Sequence, residues 1–577
     1  MTVTLSLARM LRNSLLLAAS LALGAAAWAD APLPKKHVIV ASHKLATDAG
    51  LEMLRKGGSA VDAAIAAQMV MGLVEPQSSG IGGGTFLVHW NAKKKKLETY
   101  DGRETAPKSV TPNLFLGTDG KPLGYIEAVV GGRSVGVPGT IAVLALAHKE
   151  QGRLPWADLF APAIALAENG FPVSPRLARA IDRDPALAWI PEAAAYFRPN
   201  DKPLREGDIV KNAAYAETLR EIAANGAEAF YRGRIAEAIV RAVTNSPRGP
   251  VAFTPDDMAG YTAKKRAPLC GTYRVYRICG MGPPSSGGVT ALQILKMMER
   301  FNVGRLKPAS PQAMHLFAEA QRLAFADRAV YLGDPDFVPV PLPGMIGPAY
   351  LSGRSKLISM QSVMDRMKIE AGKPKGADLT LRHLAAPDHA RPGTAHVSVI
   401  DAAGNALAMT TTVEGGFGSH LMAAGFILNN QLTDFSFEPR RDNRRLANAP
   451  DAGKRPLSSM TPTIVFDRQG KVVAVIGSPG GWRIIPYVTK TLIGLLDWNM
   501  DMGAAIDQPN VTARSGPTEL ESGRTPEATV AGLKALGHEV SLTEPTSGVS
   551  GLNGIRVTKN GFDAAADPRR EGAVGGD

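Results

Sequence analysis

A glycine–threonine pair at positions 393 and 394 stands where two kinds of sequence meet. Residues 371–393 are polar and rich in proline, which predicts an exposed, irregular connector, whereas residues 396–400 resemble a buried strand. A hairpin turn at residues 402–405 sets Thr394 opposite Val413 and beside Thr412, so two threonine hydroxyls could share a hydrogen bond at the strand edge. Such a pair could serve a nucleophile, but threonine is also a common strand residue. These residues alone do not decide between a catalytic pair and two ordinary strand threonines.

Other catalytic motifs do not point to a different chemistry. The GxSxG match at residues 132–136 is followed by Pro138 and Gly139, which oppose the helix that a nucleophile elbow needs, so we interpret it as a loop. The glycine-rich residues 80–84 lack the strand and helix of a dinucleotide fingerprint. Neither the histidines nor the cysteines have metal-ligand spacing. The sequence therefore predicts no metal site and no cofactor.

The two cysteines, Cys270 and Cys279, flank a segment that could fold as a tight hairpin. A turn centred on Arg274 and Val275 would place them opposite each other, close enough for a disulfide. Two buried free thiols are the alternative, and the residues do not decide between them.

The formal net charge is +12, which raises the question of an anionic partner. The basic residues are dispersed, and the one run, residues 93–96, lies between two strand-like segments and is typical of a solvated hairpin turn. No pattern of alternating aromatic and basic residues for nucleic acid is present. We therefore expect no nucleic-acid partner.

Residues 1–29 have the features of a secretory signal peptide. Arg9 and Arg12 precede a short apolar segment, and Ala27 and Ala29 form a small-x-small cleavage site. We expect export across the inner membrane to the periplasm, with no stable span after the signal is removed. An uncleaved anchor is the alternative.

The periodicity of the mature chain predicts helices first and antiparallel hairpins later. Residues 45–56 and 60–74 are expected to be helices, the second fully buried, and residues 139–328 are expected to be mainly helical. Strands are expected at 396–400, 406–413, 426–428, 463–466 and 472–476, followed by a helix at 484–498. This order predicts an α+β layered fold, with antiparallel sheets covered by helices.

Eight sequence blocks follow one another along the chain, at residues 51–64, 75–84, 101–107, 283–288, 429–431, 434–435, 455–460 and 477–481. With these blocks in this order, the chain resembles the gamma-glutamyltransferases, which are N-terminal-nucleophile hydrolases. The resemblance covers nearly the whole mature chain, from His43 to Gly572. The resemblance implies a four-layer αββα sandwich, a large subunit of residues 30–393 that contributes Arg103, and a small catalytic subunit of residues 394–577.

The resemblance also implies a mechanism. The Thr394 hydroxyl would attack the Gly393 carbonyl and cleave the chain, so that Thr394 becomes an N-terminal nucleophile with its own α-amine as base. Thr412 would orient the nucleophile. The new hydroxyl would then take the γ-glutamyl group of glutathione or a related amide, and pass it to water or to an amino acid or peptide. The two chains would remain together as a heterodimer.

The remaining site residues follow from the same resemblance. Backbone N–H groups of Gly480 and Gly481 would stabilise the oxyanion. The substrate's α-carboxylate would bind one arginine and two hydroxyls, and its α-ammonium would bind three acceptors. The carboxylate partners are Arg103, Ser458 and Ser459, and the ammonium partners are Glu414, Gln431 and Asp434.

The sequence departs from the family pattern at several positions. Residue 395 is alanine where many members have a second threonine, and Glu414 stands where some members have asparagine. The segment expected to cover the site, residues 435–454, is short, lacks tyrosine and contains four arginines. These features predict an open pocket that admits bulky or polymeric γ-glutamyl substrates. Trp482 could reshape the pocket beside the oxyanion glycines.

Two other functions remain as alternatives. A cephalosporin (glutaryl) acylase of the same fold is disfavoured because a glutaryl group has no α-amine for Gln431 and Asp434 to bind. An uncleaved, non-catalytic binding protein is disfavoured by the presence of Gly393, Thr394 and Thr412.

Overall fold

The structure is a computed structural model that describes residues 32–378, 392–543 and 550–577. The expected signal peptide and most of the connector at 371–393 lie outside the described residues. In the described part of the chain, no helix is long and apolar enough to cross a membrane.

Eighteen α-helices are found in the described residues. In chain order, α1 to α18 are Lys44–Arg55, Ala60–Val74, Tyr125–Val129, Thr140–Gln151, Ala161–Asn169, Pro175–Asp182, Pro191–Phe197, Ala213–Asn225, Glu228–Tyr231, Gly233–Thr244, Pro255–Ala259, Gly287–Met298, Pro311–Tyr331, Leu342–Met345, Pro348–Ser355, Ile484–Leu496, Met502–Asp507 and Glu527–Ala535.

Twenty-two strands are found in the same residues. In chain order, β1 to β22 are Val38–Ala41, Gly84–Asn91, Lys96–Gly102, Phe171–Pro172, Ile209–Val210, Lys264–Arg266, Leu269–Tyr273, Tyr276–Gly280, Pro392–Ile400, Ala406–Gly415, Met422–Ala423, Phe426–Ile427, Arg440–Arg441, Arg444–Arg445, Thr463–Phe466, Val472–Gly477, Val511–Thr512, Thr518–Glu521, Val540–Thr543, Asn553–Thr558, Gly561–Ala566 and Ala573–Gly576.

Two antiparallel sheets form the centre of the molecule. The first has seven strands in the order β22-β1-β9-β10-β2-β3-β6, and the second has six in the order β21-β20-β16-β15-β8-β7. Apolar side chains from the facing sides of both sheets form one buried cluster, in which Trp90 of β2 meets Phe466 of β15 edge to face at 4.9 Å. The sheets therefore pack face to face.

Helices cover the outer face of each sheet. Helices α1, α2 and α4 share a core cluster with the first sheet, and α12, α13 and α16 share another with the second. The layers thus run α, β, β, α, which confirms the expected four-layer sandwich. Helix α2 begins at a capping box between Ser59 and Asp62 and is buried on nearly every side, as its apolar composition predicts.

The predicted elements after residue 390 are found with small differences in their ends. Between residues 139 and 328, however, five short strands interrupt the helices, so the expectation of a mainly helical interval was incomplete. Strand β6 pairs with β3 and strand β8 pairs with β15, so pairings over long sequence separations add these two strands to the sheets. Strand β7 pairs with β8 in the hairpin expected between the cysteines. The lysine run lies in the turn between β2 and β3, as predicted.

The cysteine hairpin forms as expected. Strands β7 and β8 pair Cys270 with Cys279, and the turn lies at Arg274 and Val275. The two sulfur atoms are bonded at 2.05 Å, so the disulfide and not the free-thiol alternative is present. The bridge fastens the outermost strand of the second sheet to its neighbour.

Candidate active site

Thr394 and Thr412 face each other across β9 and β10. The register pairs Thr412 directly with Thr394, and the next pair is Glu414 with Gly393, so Val413 is an extra residue in a β-bulge. The expectation of Val413 opposite Thr394 was therefore wrong by one position, because Asp401 and Asn405 close the turn and Ile400 already pairs with Ala406. The bulge comes only after the Thr394–Thr412 pair. The contact itself is confirmed, since the two hydroxyl oxygens lie 3.1 Å apart and Thr394 is buried.

The hydrogen bonds around Thr412 fix the direction of the hydroxyl chain. Its Oγ1 donates to the carbonyl oxygen of Gly393 at 2.6 Å and accepts from the backbone N–H of Glu414 at 2.8 Å. A hydroxyl has one proton to donate, and Thr412 donates it in the hydrogen bond to the Gly393 carbonyl. The hydroxyl of Thr394 must therefore donate to Thr412. The geometry creates a relay from the Thr394 hydroxyl through Thr412 to the Gly393 carbonyl.

Gly393 lies in a space with no room for a side chain. A Cβ atom there would lie 2.5 Å from the carbonyl oxygen of Gln77 and 2.6 Å from that of Gly415. The backbone of the Gly393–Thr394 bond is thus held between two neighbouring segments. This close approach explains why glycine stands immediately before the candidate nucleophile.

Gly480 and Gly481 form the turn that leads into α16. Both have positive φ angles, 138° and 59°, and a Cβ on Gly480 would lie 2.7 Å from the ring of Tyr487. Glycine is therefore required by both conformation and space. The turn precedes a helix N-terminus, where backbone N–H groups favour negative charge. Gly481 lines the same cleft as Thr394.

That cleft is open to solvent. Gly393 and Gly480 are not among its lining residues, but the other predicted site residues are. These are Arg103, Thr394, Thr412, Glu414, Gln431, Asp434, Ser458, Ser459 and Gly481.

Arg103 follows the last residue of β3 and is almost completely buried. Its guanidinium donates to the carboxylate of Asp434 at 2.5 Å and to the carbonyl oxygens of Pro456 and Leu457 at 3.0 and 2.8 Å. Three acceptors thus hold the cation in one orientation. The structure brings Arg103 and Asp434 together although 331 residues separate them.

Asp434, Gln431 and Glu414 form a cluster of acceptors beside this arginine. The amide nitrogen of Gln431 donates to Asp434 at 2.7 Å, and the buried carbonyl oxygen of Gln431 has no hydrogen-bond partner among the described residues. Glu414 has a positive φ of 81° in the bulge, which turns its side chain toward the cluster. Burial, and then the neighbouring Asp434, raise the pKa of Glu414 well above its usual range. A bound cation would relieve this repulsion.

Ser458 and Ser459 lie on the loop before β15. The Ser458 hydroxyl accepts from the backbone N–H of Met460 at 3.1 Å, and the Ser459 hydroxyl accepts from the guanidinium of Arg328 at 2.9 Å. Arg328 also donates to Ser286 at 2.8 Å. Arg328 was not predicted from the sequence, where its only signal is a charged residue near the end of an apolar helix, α13.

The other motifs stay outside this site. The GxSxG serine, Ser134, is buried in a short 3-10 turn and donates to the carbonyl of Val129, which supports the loop interpretation. His396 is enclosed between the sheets and bonds Thr410 and Ser398, and burial lowers its pKa to about 3. In the described residues, no group of three or more histidine, cysteine or acidic side chains is placed to hold a metal ion.

Comparison with known proteins shows the family of this chain. The model of the family described as gamma-glutamyltranspeptidase matches residues 46–576. The chain belongs to the gamma-glutamyltranspeptidase family. The glutathione hydrolase proenzyme of Bacillus subtilis strain 168 is 36% identical over 548 residues, which are 94% of this chain and 91% of that protein.

This chain is also similar to acylases. The acylase ACY 1 proenzyme of Pseudomonas sp. strain SE83 is 36% identical over 91% of this chain and 90% of that protein. The crystal structure of a cephalosporin acylase from Bacillus halodurans matches with a TM-score of 0.80 and 26% identity, covering 94% of this chain and 96% of that one. The whole-chain match agrees with the expected N-terminal-nucleophile hydrolase fold.

Proposed function

We propose that this chain is a precursor that cleaves itself before Thr394 and then hydrolyses or transfers the γ-glutamyl group of glutathione and related amides. The family and its glutathione hydrolase members support the reaction class. The observation that carries the proposal is the hydroxyl relay from Thr394 through Thr412 to the Gly393 carbonyl, at 3.1 and 2.6 Å.

In the first reaction, the Thr394 oxygen attacks the carbonyl carbon of Gly393. Thr412 takes the proton of the attacking hydroxyl and gives its own proton to the carbonyl oxygen, so a neutral tetrahedral intermediate forms. When the intermediate collapses, that proton moves from the oxygen to the peptide nitrogen, the C–N bond breaks and the carbonyl forms again. An ester then joins Gly393 to the Thr394 oxygen. Water then hydrolyses the ester and leaves a carboxylate on Gly393 and a free α-amine on Thr394.

In the second reaction, that α-amine acts as base, since its pKa of about 7.7–8.0 leaves much of it neutral near pH 7.5. The Thr394 hydroxyl attacks the γ-amide carbonyl, and the N–H groups of Gly480 and Gly481 stabilise the oxyanion. The amine product leaves with a proton and a γ-glutamyl ester remains. Water completes hydrolysis, and an amino acid or peptide amine completes transfer.

The charges of the cleft support a zwitterionic substrate head. The carboxyl groups of Asp434 and Glu414 and the unpaired carbonyl of Gln431 suit an α-ammonium. Arg103, with the hydroxyls of Ser458 and Ser459, suits an α-carboxylate. This cation site favours γ-glutamyl amides over the acylase alternative, because a glutaryl group would leave the acceptors unfilled.

The proposal is tested by expressing wild type, Thr394→Ala and Thr394→Ser. Wild type should give two bands on a denaturing gel, the smaller with an N-terminal sequence starting at Thr394, and should release aniline from a γ-glutamyl anilide. Thr394→Ala should remain one chain without activity, while Thr394→Ser, which keeps a hydroxyl, should still process slowly. Activity in an uncleaved chain would overturn the mechanism. Faster release from a glutaryl anilide would favour the acylase.

We further propose that the pocket is open to long substrates. The segment expected to cover it carries a short exposed hairpin, β13 and β14, whose arginines are exposed. Wild-type enzyme should therefore hydrolyse γ-glutamyl oligomers at rates comparable to glutathione, as followed by release of free glutamate. Good turnover of glutathione with none of the oligomers would contradict an open pocket.

The location and assembly also belong to the proposal. Residues 1–29 support export to the periplasm, and the Cys270–Cys279 disulfide is consistent with an oxidising compartment. The large chain of residues 30–393 and the small chain of residues 394–577 would form a heterodimer.

A further inference from the structure

A groove lined by arginines adjoins the active-site cleft. It shares Arg328, Asn448, Leu457 and Arg514 with the cleft, so the two spaces are continuous. Arg322 and Arg366 also line it, and no aspartate or glutamate is found among its described lining residues. Arg322 and Arg366 do pair with carboxylates, Glu319 and Glu539, but these do not line the groove.

Two of these arginines, Arg328 and Arg514, line both the groove and the cleft. Burial, and then the nearby charge of Arg514, lower the pKa of Arg328 to about 10. Arg328 is held by the hydroxyls of Ser286 and Ser459, which are neutral acceptors. In the described part of the chain, no carboxylate lies within ion-pair distance of Arg328, and the carboxylate of a ligand could take that place.

Trp482 holds one of these cations in position. The guanidinium of Arg514 lies 5.0 Å from the centre of the Trp482 ring, and the ring also meets Phe325 edge to face at 5.3 Å. Trp482 directly follows Gly481, a proposed oxyanion donor. Arg514 thus stacks on the residue that follows Gly481, and it lines the same cleft as Thr394.

The rim of the groove is also basic. Strands β13 and β14 carry four exposed arginines, and the chain continues from them into Leu446, Ala447 and Asn448, which line the groove. Of the four, Arg445 pairs with Asp451. The positive charge therefore extends from the cleft to the surface of the protein.

We propose that this groove is a carboxylate subsite, in which Arg514, stacked on Trp482, and Arg328 bind a carboxylate carried by the leaving group or by the acceptor amine. The inference rests on the proposed function and specifies its substrate class: γ-glutamyl compounds with a further carboxylate beyond the scissile amide. Planar guanidinium groups suit this ligand because they bind carboxylates through paired hydrogen bonds.

The experiment compares two donors that differ by one carboxylate, γ-glutamyl-4-nitroanilide and γ-glutamyl-3-carboxy-4-nitroanilide. The ratio of their kcat/KM values is measured for wild type, Arg514→Gln and Arg468→Gln. Arg468 is an exposed arginine in the turn between β15 and β16, so its variant controls for the loss of one charge. A parallel arm compares glycylglycine with glycylglycinamide as acceptors.

Wild type should favour the carboxylated donor or acceptor. In Arg514→Gln that preference should fall roughly tenfold, as expected for one lost charge-assisted bond, while Arg468→Gln should keep it. An effect in the donor arm assigns the carboxylate to the leaving group, and an effect in the acceptor arm assigns it to the acceptor. Unchanged ratios in both arms would overturn the subsite. Release from neither donor by wild type would instead contradict the proposed function.

Discussion

The protonation of Glu414 depends on the charged groups around it. Its carboxyl group is close to Asp434, and burial together with that neighbour raises its pKa. The ionised form is therefore disfavoured in the empty site. A bound ammonium would favour ionisation again, so ligand binding and the protonation of Glu414 should be linked.

We therefore predict that L-glutamate, as a competitive inhibitor, binds more tightly as pH rises through the raised pKa of Glu414. For one linked proton, the inhibition constant should fall by at most about tenfold per pH unit below that pKa and then level off. Measurement of the inhibition constant from about pH 4.5, near the ordinary pKa of a glutamate, up to about pH 8.5 tests this. The inhibition constant of glutarate, which lacks the ammonium group, should not fall with pH in this way.

Glu414→Gln should flatten the glutamate profile, because the titrating carboxyl is gone. Glu438→Gln, which removes an exposed carboxylate from the neighbouring segment, should leave it unchanged. An equally steep profile in Glu414→Gln would assign the titration to another group.

At the scale of an element, the turn before α16 requires glycine both for its positive φ and because no space is left for a Cβ atom. A second glycine with a positive φ but open space around it separates these two reasons. Gly480 has φ 138° and no space for a Cβ beside Tyr487, whereas Gly470 has φ 76° in an exposed hairpin turn with open space around it. The two positions share a positive φ and differ in packing and in distance from the reaction.

Gly480→Ala should lower kcat by roughly a hundredfold, because the added methyl group displaces the turn that carries the oxyanion donors. Gly470→Ala should lower stability by about 1 kcal/mol and leave kcat unchanged, since only its backbone is strained. Steady-state kinetics on the processed enzyme and urea unfolding provide the two readouts. If the Gly480→Ala enzyme is processed and has a normal kcat, the turn does not take part in stabilising the oxyanion.

At the scale of the whole molecule, the two expected chains are interleaved in both sheets. In the first sheet, β1 lies between β22 and β9, and β10 pairs with β2. In the second, β15 pairs with β8. At the C-terminus, Asp577 bonds Arg55 and His37. Separation of the chains would break strand pairings within both sheets and expose the core between them.

The processed protein should therefore remain one particle until it unfolds globally. Native mass spectrometry across a urea series should detect the summed mass of both chains up to the concentration at which the far-UV circular dichroism is lost. Free small chain at a urea concentration where the dichroism is still native would contradict the interleaved assembly. The uncleaved Thr394→Ala variant gives the reference unfolding curve.

Local patterns in the sequence were sufficient for many elements. The apolar run of α2 with its Ser59–Asp62 cap and the hairpin turn at Arg274 and Val275 were predicted because such signals act within a few residues. The resemblance to a family supplied the site residues, and the structure gathers nearly all of them around one cleft. Strand β6 was missed because its partner β3 is distant in sequence, whereas the hairpin of β7 and β8 was predicted and only its pairing with β15 was not.

The sequence by itself determined the layered fold class, the family blocks and the contact between two threonines. Only the tertiary structure decided the one-residue bulge at Val413, the disulfide, the pairing of Arg103 with Asp434 and the row of arginines beside the cleft. The reason is physical: helix caps, turns and strand periodicity depend on neighbouring residues, whereas register, ion pairing and pKa depend on groups brought together from opposite ends of the chain.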